Sequence, residues 1–182
     1  MALRALLVQQ HKKLFPKAGV AIKKLAEEDE VFKGSLRISE RLLDDVMLHF
    51  KVEDETIYRM LKAALKAEEA KALQEFLGEH KELEEKMTVL LGIMKFFEPR
   101  LAGKLTKTAR NFSEVLMDHA KDEDDGLFLL ASRVLSEDQL REIDEMAAEI
   151  LSKAGREDLT AQIKKAAYES IRELPSFEKR RI

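Results

Sequence analysis

All four histidines of this chain fall into one pattern, and the pattern repeats. His49 precedes Glu53 by four residues, and His119 precedes Glu123 by four. A lone histidine comes before each pair, His11 before the first and His80 before the second. The paired residues recur at an offset of 70, and the lone histidines at 69. On an α-helix, residues i and i+4 lie one above the other on the same face. Each His-x-x-x-Glu therefore aims one imidazole and one carboxylate at a single spot. One helix cannot surround a metal ion, so such ligands converge from several helices of a bundle. Four imidazoles and two carboxylates form a ligand set for two ions, and they constrain the chain to helices that meet at one level.

Imidazole with carboxylate suits iron, manganese or zinc, iron first among them. The chain contains no cysteine, which argues against a structural zinc site built on thiolates. A single His-x-x-x-Glu arises readily by chance in a chain rich in glutamate; two at a shared offset do not. The flanks repeat as well. Met47, His49, Lys51, Glu53 and Asp54 recur in register as Met117, His119, Lys121, Glu123 and Asp124. Self-similarity of this kind points to duplication of a helical hairpin.

Composition agrees with an all-α fold. Of 182 residues, 37% are charged and 45% hydrophobic, with 7 Gly and 3 Pro, a balance dominated by good helix formers. That length supports one domain with a substantial core. A net charge of −3 exerts no general pull on nucleic acid or an anionic membrane. No apolar run approaches a membrane span. The first residues lack an apolar stretch ending in a cleavage site, so a cytoplasmic location is expected. The absence of cysteine excludes disulfides, thiol catalysis and iron–sulfur ligation by this chain. No Gly-rich phosphate loop is visible, and no serine–histidine–acid set stands out.

Apolar residues recur at three- and four-residue steps almost throughout. The periodicity predicts a first helix over Ala2–Glu28 with Leu7, His11, Phe15 and Ile22 inward. Pro16 should kink that helix, or alternatively begin it and leave His11 outside. A connector containing Gly34 and Ser35 leads to a second helix over Leu36–Ala67. A third covers Glu69–Phe97 and a fourth Leu101–Ser132, with Pro99 between them. Ser136 and Gln139 form a capping box that opens a fifth helix ending near Gly155, and a sixth covers Asp158–Glu173. The expected architecture is an up-down four-helix bundle over residues 1–135, with residues 136–182 packed on it as two further helices. The tail after Pro175 reads as a mobile terminus. Met47 and Met117 read as core filler, Tyr58 as a helix-packing residue with the site rim as its alternative, and Glu84 as part of a solvated face, or else a spare ligand or outer acceptor for His80.

The order His, His-x-x-x-Glu, His, His-x-x-x-Glu resembles the hemerythrin-like family, the HHE cation-binding domain, over roughly residues 1–135. The resemblance implies a non-haem di-iron centre, oxo- or hydroxo-bridged, with Glu53 and Glu123 bridging. His11, His49, His80 and His119 would be terminal ligands, two per iron. Oxygen-carrying hemerythrins have a further histidine one turn before the third-helix ligand; Phe76 stands there in this chain. The ligand set is more similar to the di-iron domain of repair-of-iron-centres proteins, which respond to nitric oxide and oxidative damage. The implied partner is nitric oxide, dioxygen or peroxide, bound or turned over in a stress response or in iron-centre repair. The alternative is a dioxygen-binding or sensing module, or a metal store, without turnover. A purely structural helical adaptor would require the six-residue pattern to be accidental.

Overall fold

Six long helical stretches account for the structure, a computed structural model that describes residues 2–25 and 32–173. Helix α1 is Ala2–Leu25. Helix α2, Phe32–Glu53, runs through a π-helical turn at Asp54–Tyr58 into α3, Arg59–Ala64. After an extended step at Leu65 and Lys66 comes α4, Ala67–Lys95. A 3₁₀ turn, Pro99–Leu101, precedes α5, Ala102–Asp122. A second π turn, Glu123–Leu127, continues α5 into α6, Phe128–Val134. Helices α7, Glu137–Lys153, and α8, Glu157–Glu173, are the last of the described elements. The described residues contain no strand, and the fold is an all-α helical bundle. Among the described residues, no helix is long and apolar enough to cross a membrane.

One boundary differs from expectation, and one alternative is decided. Gly34 and Ser35 lie within α2 rather than in a connector. Glycine is cheapest in a first turn, where the amides lack intrahelical partners anyway. Pro16 is carried inside a continuous α1, so His11 is helical. The expected end of the first helix at Glu28, the tail after Pro175 and the side chain of Ile22 lie outside the described residues.

The C-terminal pair is closed by local chemistry. Ser136 caps α7: its Oγ accepts from the Gln139 amide, and its own amide donates to Gln139 Oε1. At the far end Gly155 adopts φ +71°. Its amide and that of Arg156 donate to the Ser152 and Leu151 carbonyls, which completes a Schellman stop. Arg156 then pairs with Asp45 of α2. Asp144 of α7 accepts from the amides of Ala2 and Leu3 at 2.9 and 2.7 Å. Those α1 amides have no partner within their own helix, so α7 supplies their cap.

The bundle interior divides into two apolar clusters. One gathers Leu3, Leu7, Ile57, Leu61, Leu73, Leu127 and Phe128 with residues of α7 and α8. The other gathers Phe15, Leu43, Phe50, Leu83, Met87, Phe112 and Leu116. In α1, α2 with its π turn, α4 and α5 alike, the polar residues of the repeat fall between the two. The site is a polar layer sealed above and below by hydrocarbon.

Candidate metal centre

Four helices deliver the six residues to that layer. His11 comes from α1, His49 and Glu53 from α2, His80 from α4 and His119 from α5, while Glu123 opens the second π turn. None is more than 3% exposed, and both glutamates are fully buried. Their donor atoms form two overlapping groups. His11, His49, Glu53 and Glu123 lie within 4.8 Å of one another, as do Glu53, His80, His119 and Glu123. Phe15 packs against His11 and His49 at centroid distances of 5.1 and 4.8 Å, and Phe50 against His80 at 4.6 Å.

The outer nitrogen of every histidine is occupied. Nδ1 of His11 donates to Asp124 at 2.9 Å, and Nδ1 of His80 to Asp54 at 2.8 Å. Nδ1 of His119 donates to Glu79, and Nδ1 of His49 to Gln10 Oε1, both at 2.8 Å. A proton held at Nδ1 leaves the Nε2 lone pair of a neutral imidazole facing inward. Outer acceptors of this type orient a metal-binding imidazole and raise its basicity.

The inner atoms lack enough protein partners. Both oxygens of Glu53, Nε2 of His80 and of His119, and Oε2 of Glu123 are buried without a hydrogen bond. The Nε2 atoms of His11 and His49 approach to 3.0 Å. Nε2 of His49 lies 3.2 Å from Glu53, while those of His11 and His119 lie 3.4 Å from Glu123. Two buried carboxylates in an apolar shell cost several kcal/mol each unless a cation balances them. The donor set, its burial and its orphaned atoms therefore fit a metal ion site.

Without a cation, protons must supply the positive charge. Burial disfavours charged His80, yet Asp54, Glu123 and Glu53 outweigh it and push its pKa up to about 10. His11 is likewise raised against burial, through Glu123, Glu53 and Asp124. His49 is held well below the usual range by burial and by the neighbouring His11. The glutamates separate: burial and the Glu123 charge push Glu53 well up. Glu123 is held well down, burial being outweighed by the His11 and His80 imidazoles.

Tyr58 belongs to this site rather than to helix packing alone. Its hydroxyl donates to Glu123 Oε1 at 2.5 Å, and its ring lies 5.0 Å from that of His80. Burial, then the charges of Glu123 and Glu53, push the phenol pKa up, so it keeps its proton. In a regular α-helix, residues five apart point about 140° apart. The i→i+5 turn after Glu53 brings Tyr58 round over the site.

Glu84, the pair Met47 and Met117, and Phe76 take the following places. Of the two readings of Glu84, the outer acceptor of His80 is not met: Asp54 takes that place, because it follows Glu53 directly into the π turn. Met47 and Met117 are 37% and 40% exposed, on the outer face rather than in the core. Two residues before an inward histidine is the wrong phase for the inner side of a helix. Phe76 is half-buried beside Tyr58, 6.5 Å between centroids. Gln10, Glu79, Asp54 and Asp124 went unrecognised as outer partners. Their signal was present: each adjoins one of the six inner residues, and the four positions recur in register.

No curated protein and no solved structure matches this chain. The family model described as the hemerythrin HHE cation-binding domain matches residues 2–131, spanning all six inner residues. With a buried His/Glu cluster of this geometry at its centre, the chain is a metal-binding module and belongs to the hemerythrin HHE cation-binding family.

Proposed function

We propose that this protein is a non-haem di-iron protein that reacts with nitric oxide, dioxygen or peroxide, in stress response or iron-centre repair. The observation that carries the reading is the pair of overlapping four-residue groups sharing Glu53 and Glu123. Two carboxylates common to both groups suit bridging, and two imidazoles remain for each ion. A ferrous pair supplies two electrons and affinity for small oxidising molecules. The chain's own residues hold the imidazoles by Nδ1, exclude bulk water and keep a phenol proton against Glu123. Burial of all six residues suits a ligand of two or three atoms rather than an organic substrate. Phe76, where oxygen carriers have histidine, favours reaction over reversible storage of dioxygen. The repair-of-iron-centres role rests on the similarity of the ligand set.

The test begins with iron, zinc and manganese per chain in protein purified without oxygen, for wild type and His119→Ala. About two irons per chain, sharply reduced in the variant, support the reading. Folded protein that takes up no added ferrous iron overturns it. Consumption of nitric oxide or peroxide by the iron-loaded form then separates turnover from reversible binding.

A further inference from the structure

Gln10 and Glu79 occupy equivalent places in the two halves, 69 residues apart and each directly before the lone histidine of its half. Each accepts from the paired histidine of the same half, Gln10 from His49 and Glu79 from His119, both at 2.8 Å. The remaining outer partners match in kind, Asp124 on His11 and Asp54 on His80. The repeat is thus broken at one outer position. The His80–His119 pair rests on two carboxylates; the His11–His49 pair rests on one carboxylate and one neutral amide.

The difference has a direction. A carboxylate acceptor polarises the imidazole more than an amide does and makes its inward nitrogen the stronger donor. It also places an additional negative charge near the ion, within a layer of low dielectric. The Glu79 side chain is 35% exposed, so solvent screens part of its charge, and the effect belongs at the lower end of the usual 10–100-fold range (about tenfold). Tyr58 acts in the opposite sense by taking Glu123 Oε1. Glu123 is common to both groups, and a neutral phenol contributes a dipole rather than a full charge. The carboxylate wins.

We propose that the two cation positions are inequivalent, the His80–His119 position binding its ion first and more tightly, with Glu79 against Gln10 setting the difference. This rests on the metal reading above. Both residues act through an imidazole, so they are positioning residues. The reciprocal exchanges Glu79→Gln and Gln10→Glu alter charge while nearly preserving shape and the accepting oxygen.

The experiment is calorimetric titration of ferrous iron into the chelator-treated full chain without oxygen. Wild type is expected to take up iron in two steps separated by about tenfold or more. Glu79→Gln weakens the tighter step and draws the two together. Gln10→Glu strengthens the weaker step. His119→Ala loses the tight step, whereas His49→Ala retains it. Thermal unfolding of the metal-free variants checks that each is folded, and a simple packing defect would not move the two steps selectively. Uptake of two ions in a single step that neither exchange alters overturns the inequivalence and leaves the metal reading standing. Equal weakening of both steps by Glu79→Gln also overturns it. Folded wild type that binds no iron overturns both.

Discussion

The hydroxyl of Tyr58 donates to Oε1 of Glu123 across 2.5 Å, joining the first half of the repeat to the second inside the buried layer. Phe128 stands at the corresponding place in the other half, 70 residues on, with its ring 6.0 Å from that of His11. Tyr58→Phe leaves Glu123 without its one hydroxyl donor and should destabilise metal-free protein by about 1.5–3 kcal/mol. Urea denaturation measures this. An unchanged midpoint would show that the hydrogen bond carries no net stability.

Glu53 is the converse case. Neither of its oxygens has a hydrogen-bond partner, and burial with the Glu123 charge pushes its pKa well up. A buried carboxylate with no partner is a liability to the fold. Glu53→Gln should therefore raise the unfolding free energy of metal-free protein at neutral pH by about 0.5–2 kcal/mol while reducing iron uptake. Paired melting curves and metal analysis decide; a less stable variant would contradict this account.

Asp144 should matter to stability and not to metal content. Its carboxylate takes the Ala2 and Leu3 amides at the positive end of α1. Asp144→Ala is expected to cost about 2 kcal/mol and leave metal per chain as in wild type, since no inner residue is touched. Loss of both together would mean that this clasp also sets the position of His11.

Gly19 marks the close approach of α1 and α5. A Cβ there would lie 2.2 Å from Ser113 Oγ and 3.2 Å from Ser113 Cβ. Gly19→Ala gains about 1 kcal/mol of helix propensity but obliges Ser113 to turn its hydroxyl and shift by a few tenths of an ångström, and it should be energetically coupled to Ser113→Gly. A double-mutant cycle in denaturant tests the coupling; strictly additive effects would place the strain elsewhere.

Much of this arrangement was legible in the residues. The inward spacing of His49 with Glu53 and of His119 with Glu123 is a property of any α-helix. Ser136, Gln139 and Gly155 announce the ends of α7 through local hydrogen bonds. Tyr58 was only partly legible: five residues after Glu53 it stands near the rim of the site, but α-helical phase turns it away and only the π turn returns it. The outer partners were partly legible: Asp54 and Asp124 recur in register, but their acceptor role depends on which helix lies opposite. Met47 and Met117 show the reverse, hydrophobic residues whose helical phase leaves them outside.

By itself the sequence determined the helices, the repeated pattern and which six side chains share an inward phase, because i,i+4 spacing and capping act within one turn. Only the tertiary structure decided that Asp124 serves His11, that Gln10 serves His49, and that Tyr58 reaches Glu123. Those partners lie on different helices, and their meeting depends on inter-helix register and on two π turns that local periodicity does not encode.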